Sequence, residues 1–256
     1  GNDPLPALYI GHGAPPLFED ATWIEQLSGW ADELPMPKGI LIVSAHWEAA
    51  PLSLSAVAPH DVVYDFGGFD PRYYRMRYDT PEASALAAEV LAALPDEWPV
   101  HQHASRGLDH GAWVPLKVMY PGAQVPALQL SLPTQKPEGL LGLGAALSSL
   151  REQGILVIGS GFMTHGLPFL TPEMFFGNAV PGWSREFDQW AAEALARRDL
   201  DELAAFRDNA PGLPYAHPTV EHFTPLFVTL GAADGPVQTP IDGYAFGLSK
   251  RSLQVV

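Results

Sequence analysis

The sequence predicts an α/β fold, a single domain in which helices flank a central mixed, mostly parallel sheet. Short runs of valine, isoleucine and leucine alternate along the chain with longer stretches in which apolar residues recur at helical spacing. The 26 prolines and 24 glycines are spread over all 256 residues and collect in no linker. Both observations favour one domain over residues 1–256, with a sheet that is largely buried between helices.

The predicted strands are apolar runs of four to eight residues, bounded by glycine, proline or serine. Runs this short and this rich in valine, isoleucine and leucine are typical of buried strands. They lie, in chain order, at residues 7–10, 39–46, 52–57, 125–131 and 154–160.

Helical spacing of apolar residues predicts four helices between or after these strands. The first has its own start signals, since Thr80 can cap the N-terminus and Pro81 suits the first helical position. The last begins near Pro218 and ends at Gly231. The four stretches are residues 80–94, 136–153, 183–199 and 218–231.

The charge and the cysteine content exclude several classes of protein. The formal net charge is −15, the isoelectric point is about 4.8, and no basic run offsets this charge locally. A polyanion would be repelled, so we expect no nucleic-acid partner. Cysteine is absent, which excludes disulfides, thiolate zinc sites and a cysteine nucleophile. A metal in this protein would therefore be held by imidazole and carboxylate groups.

The hydropathy pattern gives an expectation about location. No apolar segment approaches the roughly 18 residues that a membrane span needs. No basic and then apolar leader opens the sequence, which starts at Gly1. We therefore expect a cytoplasmic protein with no membrane partner, and nothing in the sequence indicates an oligomeric state.

Three of the nine histidines lie at or just beyond the ends of predicted strands. His12 follows the first predicted strand, His46 ends the second, and His165 comes five residues after the last one. Because ligands and catalytic groups of open α/β sheets gather outside the carboxyl ends of strands, one shared site is expected. Glycines flank His12, and His165 lies in a glycine-rich turn, where the backbone can approach a ligand closely. Each histidine taken alone could also be a hydrogen-bonded structural residue.

Two further histidines lie at predicted helix starts, His110 in GLDHGAW and His222 in HPTVEH. Neutral imidazole binds zinc, iron, copper or nickel. Two histidines and one carboxylate with open positions are typical of non-haem ferrous oxygenases, whereas the same ligands with a bound water suit hydrolytic zinc. Glu221 adjoins His222, and neighbouring residues of a helix point about 100° apart, so one of the two is expected to bind the ion.

Arg72, Arg75 and Arg77 form a basic cluster in an otherwise acidic chain. Most arginines of this kind are solvated surface residues. The functional interpretation is that one of them pairs with a carboxylate of the substrate.

Seven stretches that contain these histidines or adjoin the predicted elements follow one another along nearly the whole chain: YIGHGAP (9–15), VSAHWE (43–48), YDFGGF (64–69), LDHGAWVPL (108–116), QLSLP (129–133), IGSGFMTHGL (158–167) and HPTVEHFTPLF (217–227). In this order they resemble the class III extradiol ring-cleaving dioxygenases, and within them the LigB-like, 4,5-DOPA extradiol dioxygenase group. A single piece such as Gly-His-Gly has little specificity, but the ordered set is specific. The family fold, one α/β domain with a central mixed sheet, agrees with the pattern above.

The resemblance implies roles for the histidines. The implied metal ligands are His12, His46 and His222. The wider superfamily uses a glutamate as the third ligand, which leaves Glu221 as the alternative. His165 would be the acid/base group, His110 would bind substrate or dioxygen, and both would contact the substrate. Whether His165 also binds the ion in a resting site is left open.

The resemblance also implies a reaction. Fe(II) would be the active metal, a catechol such as DOPA would be opened, and both atoms of O2 would be inserted; zinc could occupy the same ligands after purification. The wording YDFGGFDPRYY departs from the Phe-Tyr-Gly-Phe-Pro of the family, which leaves the identity of the catechol open. Two other functions compete: a zinc-dependent hydrolase that uses the same histidines, and a non-catalytic binding protein.

Overall fold

The structure, a computed structural model, describes residues 3–256. Within this range ten strands form, and each of the five predicted runs contributes one of them. The strands are β1 (Ala7–Gly11), β2 (Gly39–Glu48), β3 (Leu52–Leu54), β4 (Val100–Gln102), β5 (Ala127–Leu132), β6 (Ile155–Gly161), β7 (Val237–Ile241), β8 (Tyr244–Ala245), β9 (Leu248–Ser249) and β10 (Ser252–Val255).

Ten α-helices lie in the same described range, and four of them fall in the stretches with helical spacing. Over these residues, none of the helices has the length and apolar character that crossing a membrane requires. The helices are α1 (Ala21–Glu33), α2 (Ser84–Ala93), α3 (His110–Met119), α4 (Pro137–Leu147), α5 (Pro172–Gly177), α6 (Gly182–Ala196), α7 (Leu200–Ala204), α8 (Phe206–Asn209), α9 (Leu213–Ala216) and α10 (Pro225–Ala232).

Among the described residues, eight strands form one mixed sheet in the order β4-β3-β5-β2-β6-β1-β10-β7. Its central strands β5, β2, β6 and β1 pair in parallel. Antiparallel pairs join β3 and β10 to this centre, and β7 follows β10. The predicted α/β class, with a mixed and mostly parallel sheet between helices, is confirmed.

The sheet is buried on both faces because its central strands are apolar at nearly every position. Alternate residues of a strand point to opposite faces. Leu8 and Ile10 of β1 therefore join one apolar cluster, whereas Ala7 and Tyr9 join the other. Residues of α1 and α3 complete the first cluster, and residues of α4, α6 and α10 complete the second. This packing leaves the carboxyl end of the parallel strands as the place where a site can open.

The predicted helix start at Thr80 is wrong. α2 begins at Ser84, after Ala83, whose backbone N–H donates to the carbonyl oxygen of Val57 at 2.9 Å. This bond ties the preceding segment to the chain beyond β3, so residues 80–82 continue outside the helix.

The predicted helix start at Pro218 is also wrong, since α10 begins at Pro225. Residues 218–224 form bends and turns. The carbonyl oxygen of His222 accepts a hydrogen bond from the backbone N–H of Phe162 at 2.9 Å, directly after β6. A carbonyl engaged with a neighbouring strand is withdrawn from the i to i+4 pattern of a helix.

Candidate functional site

Histidines from separate parts of the chain meet at the carboxyl end of the parallel strands. His12 directly follows β1, His46 lies near the end of β2, and His222 precedes α10. One nitrogen of each lies within 4.8 Å of the other two, as metal ligands would. Over residues 3–256, Glu221 joins no such group; its Oε1 accepts a hydrogen bond from the hydroxyl of Thr219 and lies 3.5 Å from Nδ1 of His222.

The orientation of His12 is fixed by Ser160 of β6. Oγ of Ser160 donates its hydrogen to the carbonyl oxygen of Gly111 at 2.6 Å, so towards His12 it can only accept. The 2.9 Å contact between Nδ1 of His12 and this Oγ therefore places the hydrogen of the ring on Nδ1. The lone pair of Nε2 is left free for a ligand. The glycine that follows His12 is explained by packing, since a Cβ at Gly13 would stand 2.6 Å from Cβ of Leu17.

His46 places a second nitrogen beside the first. Its Nε2 lies 3.0 Å from Nε2 of His12. Two lone pairs at this distance repel each other unless a proton or a cation compensates them. Nδ1 of His46 faces Oδ2 of Asp65 at 3.8 Å, which is too long for a hydrogen bond but places a negative charge beside the ring. The pair fits a shared cation.

His222 reaches the site because its backbone is bound to two strands. Its carbonyl oxygen accepts hydrogen bonds from Phe162 N and, at 2.8 Å, from Oη of Tyr9. Gly161 has to be glycine here, since a Cβ would stand 2.0 Å from the same carbonyl oxygen. Both ring nitrogens of His222 are buried without a hydrogen-bond partner among the described residues. Such atoms cost free energy unless a ligand satisfies them, so this ring also fits a metal.

Burial keeps these imidazoles neutral. It lowers the pKa of His12 and of His222 well below the usual value, and the positive charges of the neighbouring histidines lower both further. Burial, and then the proximity of His110, lowers the pKa of His46 to about 4. Since neutral imidazole is the form that binds a metal, the three side chains are ready for a cation at neutral pH.

His165 lies against His222 rather than inside the group of three nitrogens. The two rings stack with their centroids 3.5 Å apart and an interplanar angle of 10°. The backbone N–H of His165 donates to the carbonyl oxygen of Ala216 at 2.7 Å, which fixes the turn after β6. Burial, with smaller contributions from neighbouring histidines, lowers the pKa of His165 to about 3. At neutral pH this imidazole is an unprotonated base beside the candidate ligands.

Asp65 is a site residue that the histidine pattern missed. Its Oδ1 accepts hydrogen bonds from the backbone N–H of His110 at 3.0 Å and from Nδ1 of His110 at 2.7 Å. Burial raises the pKa of Asp65, but the hydrogen bonds and the charge of His110 outweigh burial, and the net pKa is lowered. Asp65 thus keeps a hydrogen on Nδ1 of His110. An aspartate that meets a histidine 45 residues later leaves no local pattern; the available signal was its place in the stretch YDFGGF.

These side chains close one end of a cavity of about 470 Å³. Pockets for small organic molecules measure roughly 300–1,000 Å³. We call one part of its lining the histidine floor, which consists of His12, His46, Asp65, His110 and His165. We call the other part the aromatic wall, which consists of Trp23, Phe66, Phe69, Phe162, Phe175 and Phe246. The cavity therefore combines metal-binding groups with surface for an aromatic ring.

The basic cluster does not reach this cavity. Arg72 is exposed and pairs with Glu19, and Arg77 is exposed and pairs with Asp79 at 2.8 Å. Arg75 is exposed and is not part of the lining. The structure favours the surface interpretation of these arginines over contact with a substrate carboxylate.

Comparison with known proteins gives the family of this site. Residues 7–248 match the model of the catalytic LigB subunit of aromatic ring-opening dioxygenase. The chain belongs to this family. The resemblance inferred from the motifs is thus confirmed, and with it the assignment as an extradiol aromatic ring-opening dioxygenase that binds a metal.

Individual relatives cover nearly the whole chain. A 4,5-DOPA dioxygenase extradiol of Beta vulgaris is 38% identical over 233 residues, which span 88% of this chain and 85% of the relative. The protein of the same name from Escherichia coli K12 is 33% identical over 268 residues, 98% of this chain and 94% of its own. A crystal structure of an uncharacterized Escherichia coli K12 protein has a TM-score of 0.82 at 30% identity and covers 98% of this chain and 100% of its own.

Proposed function

We propose that this LigB-family chain is an Fe(II)-dependent dioxygenase that opens a catechol ring and inserts both atoms of O2. The observation that supports this most is the convergence of three imidazoles, His12, His46 and His222, with one nitrogen of each within 4.8 Å of the other two. Such donors suit a divalent transition metal. Residues 1–256 would act together as one catalytic domain, because the ligands come from both ends of the chain.

In this proposal His12, His46 and His222 hold the ion. When bound, Fe(II) supplies the electron exchange with dioxygen that zinc, which has no redox chemistry, does not supply. Zinc on the same histidines gives an inactive protein. Family membership favours this function over a zinc-dependent hydrolase and over a non-catalytic binding protein.

The surrounding residues handle the substrate and its protons. His165 lines the cavity, and a neutral imidazole has one ring nitrogen with a free lone pair, which can accept the proton of a catechol hydroxyl and later return it. His110, whose Nδ1–H is held by Asp65, offers Nε2 to the substrate or to dioxygen. The aromatic wall excludes water from the ring. Since relatives carry the name 4,5-DOPA dioxygenase extradiol, DOPA is one catechol to test.

The test is oxygen consumption by protein reconstituted anaerobically with Fe(II). With catechols it should take up O2 and form a yellow ring-fission product, whereas the same protein loaded with zinc should do neither. Failure to consume O2 across a broad panel of catechols, with iron shown to be bound, would contradict the proposal.

A further inference from the structure

The lining of the cavity is poor in charge. Over the described residues it contains no lysine and no arginine, and its single carboxylate is Asp65. Asp65 is already engaged, since it accepts two hydrogen bonds from His110 and faces His46. A substrate ammonium would therefore compete with this histidine for the aspartate.

Among the described residues that line the cavity, a substrate carboxylate finds no cation either. Lys250 lies 5.8 Å from the ring centroid of Trp23, but its Nζ donates to Oε1 of Gln26 at 2.7 Å. Arg72 and Arg77 are paired with Glu19 and Asp79 outside the cavity. Burying a carboxylate without a partner costs far more free energy than burying an uncharged group. The formal charge of −15 on the whole chain adds to this repulsion.

The apolar lining continues out to the surface. Leu167, Phe175 and Phe246 line the cavity and yet are 49%, 48% and 37% exposed. Phe175 of α5 and Phe246 stack with centroids 4.9 Å apart and an interplanar angle of 24°. Exposed apolar surface that is continuous with a pocket is typical of a site for an apolar ligand.

The backbone conformation at Phe246 indicates a role for this ring in ligand binding. Phe246 and Gly247 form the two-residue turn between β8 and β9, with φ of 55° and 77°. Positive φ at both positions is the type I′ pattern, in which asparagine followed by glycine is preferred. A bulky side chain in this conformation is strained, and such strain clusters at ligand-binding sites. The position of Phe246 in the aromatic wall, and not the hairpin itself, therefore explains why a strained residue is found here.

We propose that the preferred substrates are catechols whose ring carries an uncharged, apolar substituent, held against the stacked rings of Phe175 and Phe246. This inference rests on the proposed function for the ring-opening step, but it concerns only recognition of the substituent. DOPA, with a carboxylate and an ammonium group, is then a poor substrate although relatives are named for it.

The experiment compares 4-propylcatechol with 3-(3,4-dihydroxyphenyl)propionate, which differ by a carboxylate at the end of a chain of similar length. Binding to the Fe(II) protein is measured by calorimetry without oxygen, and kcat/KM is measured from oxygen uptake. We expect 4-propylcatechol to bind at least roughly tenfold more tightly and to have the higher kcat/KM. DOPA should resemble the propionate or bind more weakly.

Two lysine variants of neighbouring residues in α5 test the location. Phe175→Lys places a cation on the aromatic wall and should cancel or reverse the preference between the two ligands. Phe176→Lys is the matched control, because Phe176 is 82% exposed and does not line the cavity, so the preference should stay unchanged. Equal effects of both variants would overturn the assignment to this wall.

The outcomes separate the two proposals. Equal affinities, tighter binding of the propionate, or no binding of 4-propylcatechol would overturn the inference whatever the oxygen measurement shows. Oxygen uptake with charged catechols only would keep the dioxygenase and overturn the inference. A preference for 4-propylcatechol in binding, without oxygen uptake by any catechol, would support the inference and contradict the dioxygenase.

Discussion

The histidine floor and the aromatic wall of the same cavity are held by different forces. On the floor, directional hydrogen bonds fix individual rings, from His12 to Ser160 and from His110 to Asp65. The wall is held by packing, as where Phe175 stacks on Phe246, and part of it faces solvent. Hydrogen bonds specify a geometry, whereas packing tolerates changes of shape. The floor should therefore decide whether the ring opens, and the wall should decide which ring enters.

The largest expected effect is the loss of a proposed metal ligand, His222, which lies beside the floor. His222→Ala should weaken Fe(II) or Zn(II) binding by more than the roughly 100-fold that outer residues of metal sites cost, and should abolish turnover. Glu221→Gln, next to it in the chain, should leave the dissociation constant of the metal nearly unchanged. The reverse pattern, measured by metal titration, would make Glu221 the third ligand.

The next effect separates chemistry from metal binding. His165→Ala should retain the metal but reduce kcat by roughly 10²–10⁴-fold, because the imidazole proposed to accept the substrate proton is removed. Metal content and steady-state oxygen uptake are measured on the same preparation. Near-normal turnover would refute the role given to His165.

A smaller effect is expected from a residue that acts through its neighbours. Asp65→Asn should lower kcat/KM by roughly 10–100-fold, since His110 loses the carboxylate that orients it and His46 loses a neighbouring negative charge. Asp61→Asn, an exposed change in the same segment, is the control. If both variants keep full activity, and the pH profile of Asp65→Asn matches that of the parent, Asp65 has no positioning role.

The smallest effect is expected from a change in the aromatic wall, which should increase the stability of the protein and weaken the binding of the substrate. Phe246→Asn gives the turn its preferred residue, so the free energy of unfolding should rise by about 1 kcal/mol and Tm by roughly 2–4 °C. Affinity for 4-propylcatechol should fall while metal affinity stays constant. Thermal unfolding and calorimetry on one sample check this; a lower Tm would show that the turn is not strained.

The sequence predicted the floor better than the wall. Apolar runs located β1, β2 and β6, and glycine-rich strand ends drew attention to His12 and His165. The short strands β4, β8 and β9 have too few residues for a periodic pattern. The roles of Asp65 and Phe246 depend on contacts with residues far away in the sequence, His110 and Phe175, so a local sequence pattern could not predict these roles.

The contact between Gly161 and the carbonyl of His222 has a consequence for assembly. Backbone contacts between the end of β6 and the segment that contains His222, about sixty residues further along the chain, position the third imidazole. This imidazole therefore reaches the site only after that segment has packed against β6. A chain truncated before residue 217 could supply two imidazoles from β1 and β2 but not the third. Uptake of an ion would therefore be linked thermodynamically to folding of the entire polypeptide, and the holoprotein should resist unfolding more than the apoprotein.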